Sequence, residues 1–235
     1  MIINIVIMSL AVILLVWFLK EKCHAYSLKE VLIKTSISLL FIVVGLVSKY
    51  YSRNTGVLGL FVILALIWGL LGDIFLDLKY VYPVHDKTYS YAGFIVFGLG
   101  HICLQTGILL TYFNNSIKWW YLALAIVLDI IISIITILME KPLHLKYGSM
   151  KLISFLYALC LFGTFSLTLL MVIVYEFKVV TLNMLFIGSI LFAISDLVLS
   201  GTYFGEGKER PIDFILNYIF YYGAQFTIAF SLFFI

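Results

Sequence analysis

The chain has 235 residues, of which 64% are hydrophobic, 17% aromatic and only 11% charged, against about 25% charged in an average soluble protein. Too few polar groups are present to cover a folded surface, which excludes a soluble globular domain. The formal charge of +3 reflects where lysines sit in the loops and points to no nucleic-acid partner.

Eight apolar runs follow one another, at 2–19, 31–48, 56–76, 89–112, 118–139, 151–175, 181–200 and 211–234. Each is close to the roughly 20 residues that cross a hydrocarbon core of about 30 Å. Their continuous apolarity fits helices rather than the alternation of barrel strands. The predicted fold is an all-α integral membrane protein, a single bundle of eight transmembrane helices filling residues 1–235, with loops too short for a soluble domain. The first run has no basic residues before it and ends in "FLKEK" without a small-residue cleavage site, so it reads as a retained helix and not a signal peptide.

Several runs carry polar residues. Lys34 lies about one turn inside span two. Span three ends in "GLLGDIFLDL", with Asp73 inside it. His101 is in the middle of span four, with Gln105 one turn on, and Asp129 is in the middle of span five. Tyr157 comes early in span six. Span seven ends in "LFAISDLVLS", with Ser195 and Asp196. In span eight Tyr218, Tyr222 and Gln225 fall at i, i+4 and i+7, with Tyr221 beside them. Cys23, Cys103 and Cys160 are an odd set with no close pair, supporting neither a disulfide framework nor a metal site. No nucleotide loop, zinc signature or nucleophile elbow appears, so neither cofactor nor metal is expected.

Lys20, Lys22, Lys29, Lys79, Lys87, Lys141, Lys146, Lys151, Lys208 and Arg210 fall in the odd-numbered loops, against Lys49, Arg53, Lys118 and Lys178 in the others. The positive-inside rule then puts the odd loops in the cytoplasm and both termini outside. With that topology Asp73, Asp196 and Lys34 share one depth, about a turn below the cytoplasmic interface. One carboxylate there could simply reach headgroups or water, without the midplane cost of about 2.5–3.5 kcal/mol. Two aspartates in matching contexts with a lysine level with them point instead to a site. Their matching place in the third helix of each half hints at an internal duplication, although the rest of the halves does not align by eye. The short "NNSIK" turn makes spans four and five antiparallel neighbours, which predicts a contact between His101 and Asp129. A lone membrane Tyr usually belongs to an interface belt or to packing, whereas a Gln deep in a helix bonds another helix.

"GDIFL", "FGLGH", "GSILFAISDLVLS" and "YYGAQFTIAFS", in that order, resemble the YhhN family of lysoplasmalogenase-like membrane proteins over nearly the whole chain. The resemblance implies an essential acidic pair, Asp73 and Asp196, with His101, Tyr222 and Gln225 in a polar lining. Lys34 matches an early family lysine, although Thr35 stands where Pro usually follows. Asp77 and Asp129 have no counterpart in the family pattern. Lys34, His101, Tyr157, Ser195, Tyr222 and Gln225 are expected to contact substrate, with Lys34 on its phosphate.

The implied activity is hydrolysis of the vinyl ether of a lysoplasmalogen-type lysophospholipid to a fatty aldehyde and a glycerophospho-base. Two carboxyls suit it, one delivering a proton to the alkene and one stabilising the cation and activating water. The expected partners are that lysolipid and the surrounding membrane lipid, with no nucleic acid and no obligatory protein partner, in a bacterial inner membrane. The polar residues are expected to line one cavity open toward the cytoplasmic leaflet. An intramembrane aspartyl protease is disfavoured by Leu71, where Gly is needed, and by the lack of a Pro-Ala-Leu element, the only prolines being Pro83, Pro142 and Pro211. A proton-coupled transporter using the same Asp pair is the alternative, against which no span is broken by Gly or Pro at its middle.

Overall fold

The computed structural model describes residues 1–22, 27–52, 56–114, 117–205 and 210–235. Its long elements are α1 (Ile2–Lys22), α2 (Leu28–Tyr51), α3 (Val57–Val81), α4 (Asp86–Tyr112), α5 (Trp119–Leu138), α6 (Lys151–Val174), α7 (Val180–Phe204) and α8 (Pro211–Ser231). Among the described residues no strand forms, and one isolated bridge pairs Leu145 with Gly205. Cys23, Arg53 and Lys208 lie outside the described residues.

The prolines spare the helix interiors. Pro83 opens a short 3-10 turn, Pro142 lies in a loop, and Pro211 takes the first position of α8, where a missing N–H costs nothing. A capping box starts α2, with Ser27 accepting from the backbone of Lys29 and its own N–H donating to Glu30 at 2.6 Å. Hydropathy located all eight helices but cut several short. Reading span three as 56–76 and span seven as 181–200 misses the last turn of α3 and of α7. Hydropathy marks the hydrocarbon crossing, whereas a helix continues into the interface with polar side chains.

Among the described residues, seven helices are long and apolar enough to cross a membrane. The other, α8, is 21 residues long but carries Asp213, Asn217, three tyrosines and Gln225.

The helices pack as a ring of six, in the order α2, α3, α4, α6, α7, α8 and back to α2. Two helices lie outboard, α1 against α2 and α8, and α5 against α6. Burial agrees, since α5 buries 11% and α1 22% of the span, against 39 to 56% for the other spans. Each half of the chain repeats one neighbour pattern, with an outboard first helix on the second, the second on the third and the third on the fourth.

The tightest pair is α3 with α4. Gly93, Gly100 and Gly107 recur every seventh residue and form one stripe on α4. A Cβ at Gly100 would lie 3.2 Å from the carbonyl oxygen of Ala65, and one at Gly107 would lie 2.7 Å from Cβ of Phe61. Without a hydrophobic driving force between helices in lipid, such small-residue stripes let backbones approach and dispersion hold them.

Candidate functional site

The longer helices move the acidic residues deeper than hydropathy suggested. Asp73 and Asp196 each lie eight residues before the C-terminal end of their helix, or about 12 Å at 1.5 Å per residue. Lys34 lies six residues into α2. All three line a single cavity of about 110 Å³, room for several waters or a slice of a larger ligand. It lies at the bundle end that carries the α3–α4, α5–α6 and α7–α8 connections. Phe94, Phe97, Leu161 and Phe162 wall its deeper part, and Thr136 and Ile137 of α5 close one side.

Asp73 is 3% exposed and held by three donors. Lys34 Nζ lies 3.2 Å from Oδ1, while Ser38 donates to Oδ2 at 2.6 Å and Tyr221 at 2.8 Å. The same Nζ lies 3.0 Å from Oδ1 of Asp77, one helical turn on. Lys34, expected on a substrate phosphate, is thus placed between two carboxylates that share its one charge in a low-dielectric interior. Behind Tyr221, Gln225 donates to the tyrosine oxygen at 3.1 Å.

Asp196 has a different setting. Tyr157 donates a short hydrogen bond to Oδ2, and among the described residues no Lys, Arg or His lies within ion-pair distance of it. The preceding Ser195 is committed to α8, because Asn217 Nδ2 donates to its carbonyl and hydroxyl oxygens, each at 2.9 Å. Ser154, one turn before Tyr157, lines the cavity with a buried hydroxyl that has no hydrogen-bond partner among the described residues.

The expected polar residues do not all face one cavity. Lys34, Asp73, Tyr157, Ser195 and Asp196 line it, but His101 and Gln225 line a second, much smaller pocket behind Phe97. Tyr222 lines neither, its hydroxyl lying 3.4 Å from both Ser38 Oγ and the Lys34 carbonyl. The predicted His101–Asp129 pair is absent. His101 Nδ1 meets Thr164 Oγ1 at 3.1 Å and Asp129 accepts from Ser133 at 3.2 Å. The reason is lateral order: α6 packs against both α4 and α5, so equal depth does not bring the two groups together. Gln105 takes the inward place instead, donating to the Cys160 carbonyl at 2.8 Å.

Asn217, Ser38 and Ser154 do not stand out in the sequence, and Asp77 does so only as an aspartate without a family counterpart. Only Asp77 left a usable signal, its i+4 spacing from Asp73, obscured because span three was ended at residue 76.

Over this end of the bundle the α5–α6 connection is strapped to α7. Lys146 N donates to the Phe204 carbonyl at 2.8 Å, and the Tyr147 ring, which lines the cavity, packs 4.6 Å from that of Phe204. Glu140 anchors the strap to Lys151 at 2.5 Å, and this hydrogen bond holds the Glu140 carboxyl below its usual range. Among the described residues no three His, Cys, Asp or Glu side chains converge as a metal site.

The sequence matches the YhhN family model over residues 29–232. The chain belongs to the YhhN family. No curated protein and no solved structure matches it. Every cavity residue of this YhhN chain falls inside the matched stretch, and α1, which lies before it, contributes none.

Proposed function

We propose that this YhhN protein is a membrane hydrolase that cleaves the vinyl ether of lysoplasmalogen-type lysophospholipids, with Asp73 and Asp196 as its acid–base pair. The observation that carries this reading is that both aspartates, from different helices and at matching depth, line one cavity with an apolar deep wall. Intramembrane carboxyls facing a bundle interior mark sites, and an aromatic wall suits a single acyl chain.

In this reading a proton moves from one carboxyl to the outer alkene carbon and leaves an oxocarbenium ion at the carbon bearing the ether oxygen. The other, ionised carboxyl stabilises that cation and takes a proton from an attacking water. The hemiacetal then collapses: its hydroxyl gives up its proton, the carbon–oxygen bond to glycerol breaks, the leaving glycerol oxygen takes up a proton, and a fatty aldehyde forms. One water is consumed and the two carboxyls end with the one proton they started with.

The reading also takes α8 as an eighth crossing, because it lies along α7 and α2 at full span length. The basic loops then face the cytoplasm of a bacterial inner membrane and both termini face out. The decisive assay is aldehyde release from a vinyl-ether lysolipid by purified protein in micelles, with an ester-linked lysolipid as control. No aldehyde from the vinyl ether would end this reading.

One observation favours the rival, a proton-coupled transporter. Polar groups continue inward from Asp73 through Tyr221 and Gln225 to the small pocket, which His101 also lines, with Thr164 against His101 and Gln105 against Thr164. Substrate-dependent proton uptake into liposomes, with no lipid cleaved in micelles, would favour it.

A further inference from the structure

The two halves of the chain place equivalent residues around the cavity. Tyr157 precedes Asp196 by 39 residues, the separation that also divides Lys34 from Asp73. Asp196 follows Asp73 by 123 residues, as Tyr157 follows Lys34; the same offset relates Tyr203 of α7 to Tyr80 of α3, and all six line the cavity. Each aspartate thus sits on the third helix of its half and is met by a residue at the same place on the second. In the first half that residue is Lys34, a cation, and in the second it is Tyr157, a neutral donor.

We propose that this divergence inside a repeated frame assigns the roles: Lys34 keeps Asp73 as the carboxylate, and Tyr157 leaves Asp196 to carry the proton.

The surroundings support the asymmetry. Against Asp73 lie Lys34 from α2, Asp77 on its own helix and the neutral hydroxyls of Tyr218, Tyr221 and Tyr222 from α8, while α4 presents Phe97, whose ring is 6.0 Å from that of Tyr221. Three donors on one carboxylate, one of them charged, stabilise its ionised form, and Asp77 draws part of the lysine's charge without removing it. Against Asp196 lie Tyr157 from α6, with Cys160 behind it, and Asn217 from α8, bonded to Ser195. Tyr203 stands two turns on along α7. Among the described residues no cation offsets the cost of a charge there, and with Oδ2 taken by Tyr157, Oδ1 is left for the proton.

The assignment deepens the proposed mechanism by making Asp196 the general acid and Asp73 the base, but its test does not depend on that mechanism. A protonated carboxyl has an infrared carbonyl band separate from that of a carboxylate. Spectra of the detergent-solubilised protein at neutral pH should lose such a band in Asp196→Asn and keep it in Asp73→Asn. Tyr157→Lys, which copies the first half's pairing into the second, should also remove it. A band lost in Asp73→Asn and kept in Asp196→Asn would overturn the proposal, as would identical spectra for the parent and Asp196→Asn. Should Tyr157→Lys fail to fold, the two Asn variants decide alone. A band that behaves as expected in a protein releasing no aldehyde would uphold the protonation assignment while removing the hydrolase reading.

Discussion

Tyr157 is the hydrogen-bond donor that Asp196 has on the cavity wall, joining α6 to α7 where those helices flank the site. Replacing it by Phe keeps the ring and removes the hydroxyl. One net hydrogen bond is worth about 0.5–1.5 kcal/mol, so aldehyde release should fall about two- to twelvefold with little change in thermal stability. Unchanged turnover would show that the bond does not orient the carboxyl.

The aspartates themselves should cost more. Asp73→Asn and Asp196→Asn keep side-chain size while removing proton transfer, worth about 10²–10⁴-fold in rate for one acid–base role. Initial rates on a vinyl-ether lysolipid should drop by that range in each variant. Full activity in either would dismiss a paired-carboxylate mechanism.

Lys34 should act first on stability. Its ammonium lies between two buried carboxylates, and removing one partner of a buried ionic cluster costs about 3–5 kcal/mol. Lys34→Met should therefore lower the thermal midpoint in detergent sharply. Adding Asp77→Asn should recover part of the loss, because residues of one network couple. Strict additivity of the two substitutions would show that they do not share the charge.

Gly107 tests the helix seam. Alanine there puts its Cβ 2.7 Å from Phe61 Cβ, and overpacking of this kind costs about 1–3 kcal/mol. Gly148, where nothing lies within 4 Å of an added Cβ but φ is positive, offers a control for strain without collision. Denaturant or thermal unfolding in detergent should rank Gly107→Ala below the parent; equal stability would mean that the helices separate freely.

The strap over the cavity should respond to acid. Glu140 titrates below the usual 4.5 because of its hydrogen bond to Lys151. The group is ionised more readily when folded, so its contribution is fully present above the ordinary glutamate range and is lost as pH falls through the lowered value. Amide exchange at Lys146 and Tyr147 should stay slow from neutral pH to about 5 and quicken, beyond the intrinsic pH effect, only in stronger acid. Glu140→Gln should show the faster exchange already at neutral pH.

How much of this was legible in the sequence follows from what each signal measures. Hydropathy reports transfer to lipid, so all eight helices could be read, and so could the matching depth of Asp73 and Asp196. Depth says nothing about lateral order, which is why His101 and Asp129 were paired across what proves to be α6. Nor does it say which cation answers which carboxylate. The ion pairs of Lys34 are hidden in the sequence because its partners on α3 are 39 and 43 residues away, and Asp77 falls one residue beyond the hydropathy boundary of span three. The duplication was visible in the two aspartates, but its second pair, Lys34 with Tyr157, joins unlike side chains that only a shared place in the fold makes equivalent.

In the proposed hydrolase, the outboard position of α5 bears on how the products part. Its Thr136 and Ile137 close one side of the cavity, yet α6 is the one helix against which it packs extensively. A wall hinged on one neighbour can swing aside without disturbing the welded α3–α4 seam or the charges set upon it. A fatty aldehyde, poorly soluble in water, would then slip sideways into the bilayer, while the phosphate-bearing alcohol retreats past the strap to the aqueous side. Two molecules of opposite solubility would leave by separate doors, and neither would have to wait for the other.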